Sequence, residues 1–148
     1  MHQHILIATD GSELAGKAVR HGFELAGKLG ARVTVVTATE PWSVVAMAHA
    51  ADGGARHPVE AYEAANDAQA RLVLDDVKQL AADHGLACDV VHAKDRRPAE
   101  AIVETAKARG CDLIVMASHG RRGLNHLLLG SETTKVLALT TIAVLVYR

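Results

Sequence analysis

A glycine-rich segment near the C-terminus has the residue types of an anion-binding loop. It runs from Ala117 to Thr133, between an apolar strand-like run and a short helical pattern. Such a loop aims backbone N–H groups at one spot, and the start of the following helix adds positive potential. Gly120 and Gly130 let the backbone approach a ligand closely, while Ser131 and Thr133 add hydroxyl donors. The segment predicts phosphate binding, although a loop that only turns the chain can have the same composition.

Cationic side chains lie in the same loop. Arg121 and Arg122 are suited to screening phosphate charge, and His119 is adjacent to the first loop glycine. The alternative is that each is a solvated loop cation. The chain has nine histidines, among them His126, but it lacks both an HExxH motif and a His–Cys spacing typical of zinc. We therefore do not expect a preformed metal site among the histidines.

Asp10 is the most informative single acid. It ends the first apolar strand run, and open parallel sheets bind ligands at the carboxyl edge of their strands. A carboxylate there can hold a metal ion or ribose hydroxyls. It can also cap a helix that begins near Ser12, which is itself a candidate cap. The two roles are compatible, and both remain open at this point.

The segment Gly11–Ala18 nearly matches the P-loop pattern GxxxxGK[ST], but Ala18 replaces the hydroxyl residue that should hold magnesium. The same spacing recurs eleven residues later, and the whole stretch has helical periodicity, whereas a P-loop must be a loop. We read it as helix. The chain also lacks a GxSxG elbow and a pair of carboxylates spaced for acid–base work. We therefore expect no enzyme, with slow ATP hydrolysis as the exception to check.

The elements that must position these residues alternate between strand and helix. Strand signals begin at Ile5 and Val33, then again at Asp89, Leu113 and Ile142. Three helical patterns lie between them. The first contains Ala18, Gly22, Leu25 and Leu29, and the third runs from Pro98 to Gly110. The second begins at about Val59, and its predicted core side consists of Leu72, Val73, Val77, Leu80 and Ala81. Nearly continuous apolar strands alternating with amphipathic helices predict an α/β fold, with a parallel sheet covered on both faces. The stretch 40–57 has no clear period and is predicted to be a long surface loop.

Composition limits the class of protein. The 148 residues predict one domain over 1–148, and 49% hydrophobic residues are enough for a core. A net charge of −1 gives no electrostatic reason to expect nucleic acid as a partner. No apolar run is long enough to span a membrane and no signal peptide is visible, so we expect no membrane insertion and a cytoplasmic location. Cys88 and Cys111 are expected to be free thiols.

Three segments together resemble the universal stress protein family. They are ILIATDGS at 5–12, DLIVMASHG at 112–120 and LLLGS at 127–131, and the resemblance continues in order to VLV at 144–146. The sharpest element is the family's nucleotide motif, G-x2-G-x9-G-[ST]. Gly120, Gly130 and Ser131 match it, while Ala117 stands where the first glycine is usual. Alanine keeps the backbone N–H, so the change matters only if the position needs a positive φ.

The resemblance implies a Rossmann-like fold with a five-stranded parallel sheet of order 3-2-1-4-5. It also implies a homodimer that pairs the fifth strand, Ile142–Tyr147, with its own copy, and ATP with magnesium as the ligand. Asp10 would then contact the ribose or the metal, and Ala38 would offer backbone groups to adenine. The site implied in this way comprises Ala8, Thr9, Asp10, Ala38, Met116, Ala117, Gly120, Arg121, Gly130, Ser131, Glu132 and Thr133.

Two residues depart from the family pattern. Glu132 stands where we expect an apolar residue in some relatives. A carboxylate there suits a helix start but competes with phosphate for the same positive potential. Ala143 stands where proline is common, and it restores an N–H to an edge strand, which suits pairing with another chain.

Our leading hypothesis is a cytoplasmic, dimeric, ATP-binding regulator of the stress response with an unknown protein partner. The alternatives are a nucleotide-free member of the family that acts as a protein-interaction module, and an adenylate-forming or ATP-hydrolysing enzyme on a related fold.

Overall fold

The computed structural model describes residues 1–54, 56–121 and 128–148. Its strands are β1 His4–Ala8, β2 Arg32–Thr39, β3 Cys88–Lys94, β4 Leu113–Ala117 and β5 Ala143–Tyr147. Its helices are α1 Glu13–Leu29, α2 Val44–Asp52, α3 Pro58–Asp83, α4 Pro98–Arg109 and α5 Ser131–Leu139. The five strands form one parallel sheet in the order β3-β2-β1-β4-β5. The predicted fold class and strand order are confirmed.

Helices cover both faces of the sheet, and consecutive strand residues point to opposite faces, so neighbouring residues of one strand are buried on different sides. Ile5 and Ile7 pack on one face with Phe23 of α1 and Val77 of α3. Leu6 packs on the other face with the apolar sides of α4 and α5. This arrangement explains why the strands read as continuous apolar runs, and it places helices on both faces as expected.

Local signals set the ends of two helices as predicted. The Ser12 hydroxyl caps α1 by accepting a hydrogen bond from the Ala15 N–H at 3.3 Å. Helix α4 begins at Pro98 and ends at Gly110, whose φ of 66° lies in the left-handed region that favours glycine. The near-match to a P-loop lies mostly inside α1, so Lys17 projects from a helix and the loop reading is excluded.

Two expectations on the α2–α3 side were wrong. The segment 40–57, predicted to be a surface loop, contains α2 between Val44 and Asp52, while Ala55 lies outside the described residues. Leu72 was predicted to face the core but is 63% exposed. The buried row of α3 runs through Val73, Val77 and Ala81, and Leu72 is turned by one residue, about 100°, away from that row.

The C-terminal boundaries shift slightly from those predicted. Helix α5 begins at Ser131, before the predicted helical pattern, and β5 begins at Ala143, one residue after the predicted start. The Ile142 N–H donates instead to the Thr140 hydroxyl at 3.0 Å, which closes a turn before the strand. No helix of the described ranges combines the length and the apolarity that crossing a bilayer requires.

Both cysteines are free, as predicted. Burial raises the pKa of each thiol to about 11, so neither has the low-pKa character of a reactive thiolate.

Candidate functional site

A cavity of about 370 Å³ opens at the carboxyl edge of the sheet. Strand β1 has β2 on one side and β4 on the other, so the strand order reverses there, and such switch points are where open α/β sheets bind ligands. All twelve residues of the implied site line this one cavity, namely Ala8, Thr9, Asp10, Ala38, Met116, Ala117, Gly120, Arg121, Gly130, Ser131, Glu132 and Thr133. The structure thus brings the whole predicted set together, whereas the binding role of each residue stays a prediction.

Asp10 joins the end of β1 to the loop after β4. Its Oδ1 accepts a hydrogen bond from the Ser12 N–H at 2.9 Å, and its Oδ2 accepts one from the Arg121 N–H at 3.0 Å. The helix cap itself is Ser12, so the capping role considered for Asp10 belongs to its neighbour. Asp10 fixes the first turn of the glycine-rich loop across 111 residues of sequence.

The two loop glycines provide space rather than an unusual backbone conformation. A Cβ on Gly120 would lie 2.5 Å from Asp10 Oδ2, so a side chain there would displace the carboxylate. Gly130 has a φ of −62°, and its N–H donates to the Ser118 carbonyl at 2.7 Å. A Cβ on Gly130 would lie 3.1 Å from that carbonyl oxygen. Close approach is therefore the reason for glycine at both positions, to the Asp10 carboxylate at Gly120 and to the Ser118–His119 backbone at Gly130.

Ala117 takes the place of the motif's first glycine without backbone strain. It is the last residue of β4, in extended conformation, and it is buried. Among the described residues only Asp95 has a positive φ without being glycine. The sequence left open whether position 117 needs a positive φ. The backbone is extended there, so it does not need glycine.

Thr133 anchors the start of α5 beneath the cavity. Its side chain is 2% exposed, and its hydroxyl donates towards the carbonyl oxygens of Ala117 at 3.0 Å and Ser118 at 3.1 Å. Because this donor already serves the end of β4, any hydrogen bond that Thr133 makes to a ligand falls to its backbone N–H.

Glu132 points at a different helix from the one expected. We expected its carboxylate to act at the start of its own helix, α5. Its Oε2 instead accepts a hydrogen bond from the Ala99 N–H at 2.9 Å, in the first turn of α4. Its Oε1 accepts one from Lys135 Nζ at 3.2 Å. The carboxylate therefore links α5 to α4 at the wall of the cavity.

Sequence reasoning missed part of the lining. Val36, Pro98 and Ile102 add apolar wall, and Glu40 adds a carboxylate after the end of β2. Glu40 was assigned to the long loop, although its place just after a strand end was a usable signal. Ala15 is the remaining addition. His119, which the sequence placed beside the phosphate loop, also lines the cavity, and the Ser118 hydroxyl lies 3.2 Å from its Nδ1. Arg122 and His126, both considered as loop residues near phosphate, lie outside the described residues.

A divalent ion would depend on Asp10 in this cavity. The described ranges contain no group of three or more His, Cys, Asp or Glu side chains that could hold a metal by themselves. Magnesium, however, often takes one or two carboxylates and completes its shell with waters and ligand phosphates. Asp10 lines the cavity with a carboxylate of that kind, so the donor set suits an ion that arrives with a nucleotide.

The family model for the universal stress protein family matches residues 1–148. The chain belongs to the universal stress protein family. The universal stress protein YxiE of Bacillus subtilis is 30% identical over 156 aligned positions, which cover 100% of both chains.

Solved structures of similar proteins have the same fold. MJ0577 of Methanocaldococcus jannaschii is 26% identical, with a TM-score of 0.80 over 99% of this chain and 96% of that one. A universal stress protein crystallised in complex with cAMP is 25% identical, with a TM-score of 0.71 over 99% of this chain and 97% of that one.

Proposed function

We propose that this universal stress protein binds an adenine nucleotide, ATP with magnesium among them, and acts in the cytoplasm as a dimeric regulator of the stress response. The observation that carries the proposal is the cavity at the switch point of the sheet. It is lined by every residue that the nucleotide motif and its surroundings predict.

The cavity divides into two chemically distinct parts. Val36, Ile102 and Met116 form an apolar wall on which a flat base would pack, and Ala38, in the same lining, would offer backbone hydrogen bonds to the edge of that base. The start of α5, which follows Gly130, provides backbone N–H groups and the positive end of a helix dipole, which suit phosphate. One apolar and one anion-binding end, side by side, are the features that a nucleotide requires.

The relative crystallised with cAMP supports an adenine nucleotide as the ligand class. Its identity and coverage make its fold a fair guide to this cavity, and ATP itself is our extension from the motif. Binding would not be coupled to rapid hydrolysis, because the hydroxyl that His119 contacts belongs to Ser118, which is buried and does not line the cavity. The nucleotide would then report a metabolic state to a protein partner that the chain does not identify.

The dimer would form at the free edge of β5. This strand ends the sheet, and its residues Val144 to Tyr147 are only half-buried in one chain. Val144 packs towards one face of the sheet and Leu145 towards the other, so the strand has apolar side chains on both sides. Pairing with a second copy would satisfy the open backbone groups and cover those side chains.

Thermal unfolding with and without millimolar ATP and magnesium tests the nucleotide proposal. Selective binding to the folded state raises the Tm of the wild-type protein. Gly130→Val should abolish the increase, because its side chain would press against the Ser118 carbonyl and His119 and displace the start of α5 from the loop. Lys17→Ala, on α1, is the control and should keep it. If the wild-type Tm does not change, the nucleotide proposal fails and the nucleotide-free interaction module becomes the better account.

A further inference from the structure

Two helices begin at the same cavity. Pro98, the first residue of α4, and Ser131, the first residue of α5, both line it. The first N–H groups of a helix have no acceptor within the helix, and the helix dipole adds positive potential there. The cavity therefore has two helix starts that favour anions.

The protein's own carboxylate fills one of them. Glu132 Oε2 accepts the Ala99 N–H at 2.9 Å, and the N-cap residue of α4, Arg97, makes no side-chain capping bond. The side chain of Glu132 is held from its other oxygen by Lys135 at 3.2 Å. Its negative charge is thus fixed at the α4 start, and only the α5 start remains open to a ligand phosphate.

We infer that Glu132 limits the charge of the nucleotide that the cavity accepts. It makes the site selective for an adenine nucleotide with one phosphate, or for a triphosphate neutralised by magnesium, over the free triphosphate. This inference rests on the proposed function.

The physical reason is the number of donors that the cavity offers and the sign of its charge. One phosphate is satisfied by the N–H groups at the start of α5, whereas further phosphates meet the carboxylate of Glu132 at the start of α4, where donors would otherwise be. Like charges that are partly shielded from water oppose binding strongly. Within the described lining, Asp10 and Glu40 act in the same direction, and Arg121 opposes them.

Isothermal titration calorimetry with AMP and ATP in EDTA, and with ATP plus magnesium, tests this selectivity. The wild-type protein should bind AMP at least about tenfold more tightly than free ATP, a difference of about 1.4 kcal/mol. Magnesium should remove most of the difference. Glu132→Gln keeps an oxygen acceptor for the Ala99 N–H and removes the charge. It should strengthen the binding of free ATP more than that of AMP, because ATP has more charge, and so bring free ATP to within a few-fold of AMP.

Two further variants separate charge at the cavity from structure. Glu100→Gln removes a charge from the same first turn of α4, but Glu100 does not line the cavity, so the preference for AMP should persist. Lys135→Gln removes the cation that partly neutralises Glu132, so the preference for AMP should increase. Glu132→Gln and Lys135→Gln remove opposite partners of one ion pair, and a purely structural role for Glu132 would not change the preference for AMP in opposite directions in these two variants.

The outcomes distinguish a failure of nucleotide binding from a failure of charge selectivity. If no adenine nucleotide binds the wild-type protein, the proposed function itself fails. If AMP and free ATP bind the wild type equally, or if Glu132→Gln changes both affinities by the same factor, the selectivity is refuted while nucleotide binding stands. If Glu132→Gln does not fold, an unchanged preference in Lys135→Gln still refutes the inference.

Discussion

Replacing Thr133 by valine should destabilise the protein at the base of its candidate site. The side chain is 2% exposed, and its hydroxyl is the donor for the carbonyl oxygens of Ala117 and Ser118. Valine has nearly the same shape but no hydroxyl, so the carbonyl of the buried Ala117 loses its side-chain donor, whereas the Ser118 carbonyl keeps the Gly130 N–H. Leaving a buried polar group unsatisfied costs about 1–3 kcal/mol. We therefore expect a loss of about 2 kcal/mol of unfolding free energy.

This loss can be measured in two ways. In a domain of this size, a change of about 2 kcal/mol corresponds to a decrease in Tm of roughly 4–8 °C. In urea, with an m-value near 2 kcal/mol/M, the unfolding midpoint should fall by about 1 M while m is unchanged. An unchanged m-value shows that the variant lost stability without changing how much surface unfolding exposes.

Thr134→Val is the matched control one residue along. The Thr134 hydroxyl donates to the Gly130 carbonyl at 3.1 Å, but the side chain is exposed, so water can replace the lost bond. We expect less than about 0.5 kcal/mol there. If Thr133→Val is equally mild, or if both variants lose the same stability, the hydroxyl does not anchor α5 as described.

Three further predictions concern pH, turnover and assembly. Burial, helped by the Arg32 guanidinium, lowers the pKa of His4 in the folded protein below its ordinary 6.5, against the opposing pull of Asp112 and Asp89. The unfolded chain then binds the proton more tightly, so the stability that this group contributes is full above about pH 6.5 and is lost as pH falls. In His4→Gln the urea unfolding midpoint should therefore change less between about pH 7.5 and 5.5 than it does in the wild type. ATP hydrolysis should be slower than about one turnover per second, and several turnovers per second in a steady-state assay, abolished by Gly130→Val, would overturn the non-enzymatic proposal. Light scattering at micromolar concentration should give a dimer for the wild type and monomer or aggregate for Val144→Pro, and a monomeric wild type would refute strand pairing.

The sheet could be predicted because its signals are local. Strands β1, β2 and β4 contain short apolar runs, and Gly30 and Gly110 each end a helix in the left-handed conformation. Helix α2 was missed because its sequence is apolar nearly throughout, so it has no polar face from which a helical period can be read. Its alanine and methionine content was the available signal, since both residues favour helices.

The position of the site could be predicted from the sequence, but the hydrogen bonds between its residues could not. Parallel strands bring their carboxyl ends to one edge, so residues that follow β1, β2 and β4 had to meet there. The Arg121 N–H donates to Asp10 and the Ala99 N–H donates to Glu132, so these hydrogen bonds join residues 111 and 33 positions apart. No periodicity or spacing encodes such pairs, because they depend on how the helices pack in three dimensions.

The two long-range hydrogen bonds also explain why carboxylates stand beside a site suited to anions. Each binds a backbone N–H that the loop or the helix start would otherwise leave without a protein acceptor, so each holds the cavity in shape before any ligand arrives. Asp10 fixes the loop that carries Gly120, and Glu132 fixes the start of α4 against α5. The same charges that preorganise the backbone must then oppose a highly charged ligand. Preorganisation and charge selectivity are then two consequences of one arrangement, and Glu132→Gln should retain the first while losing the second.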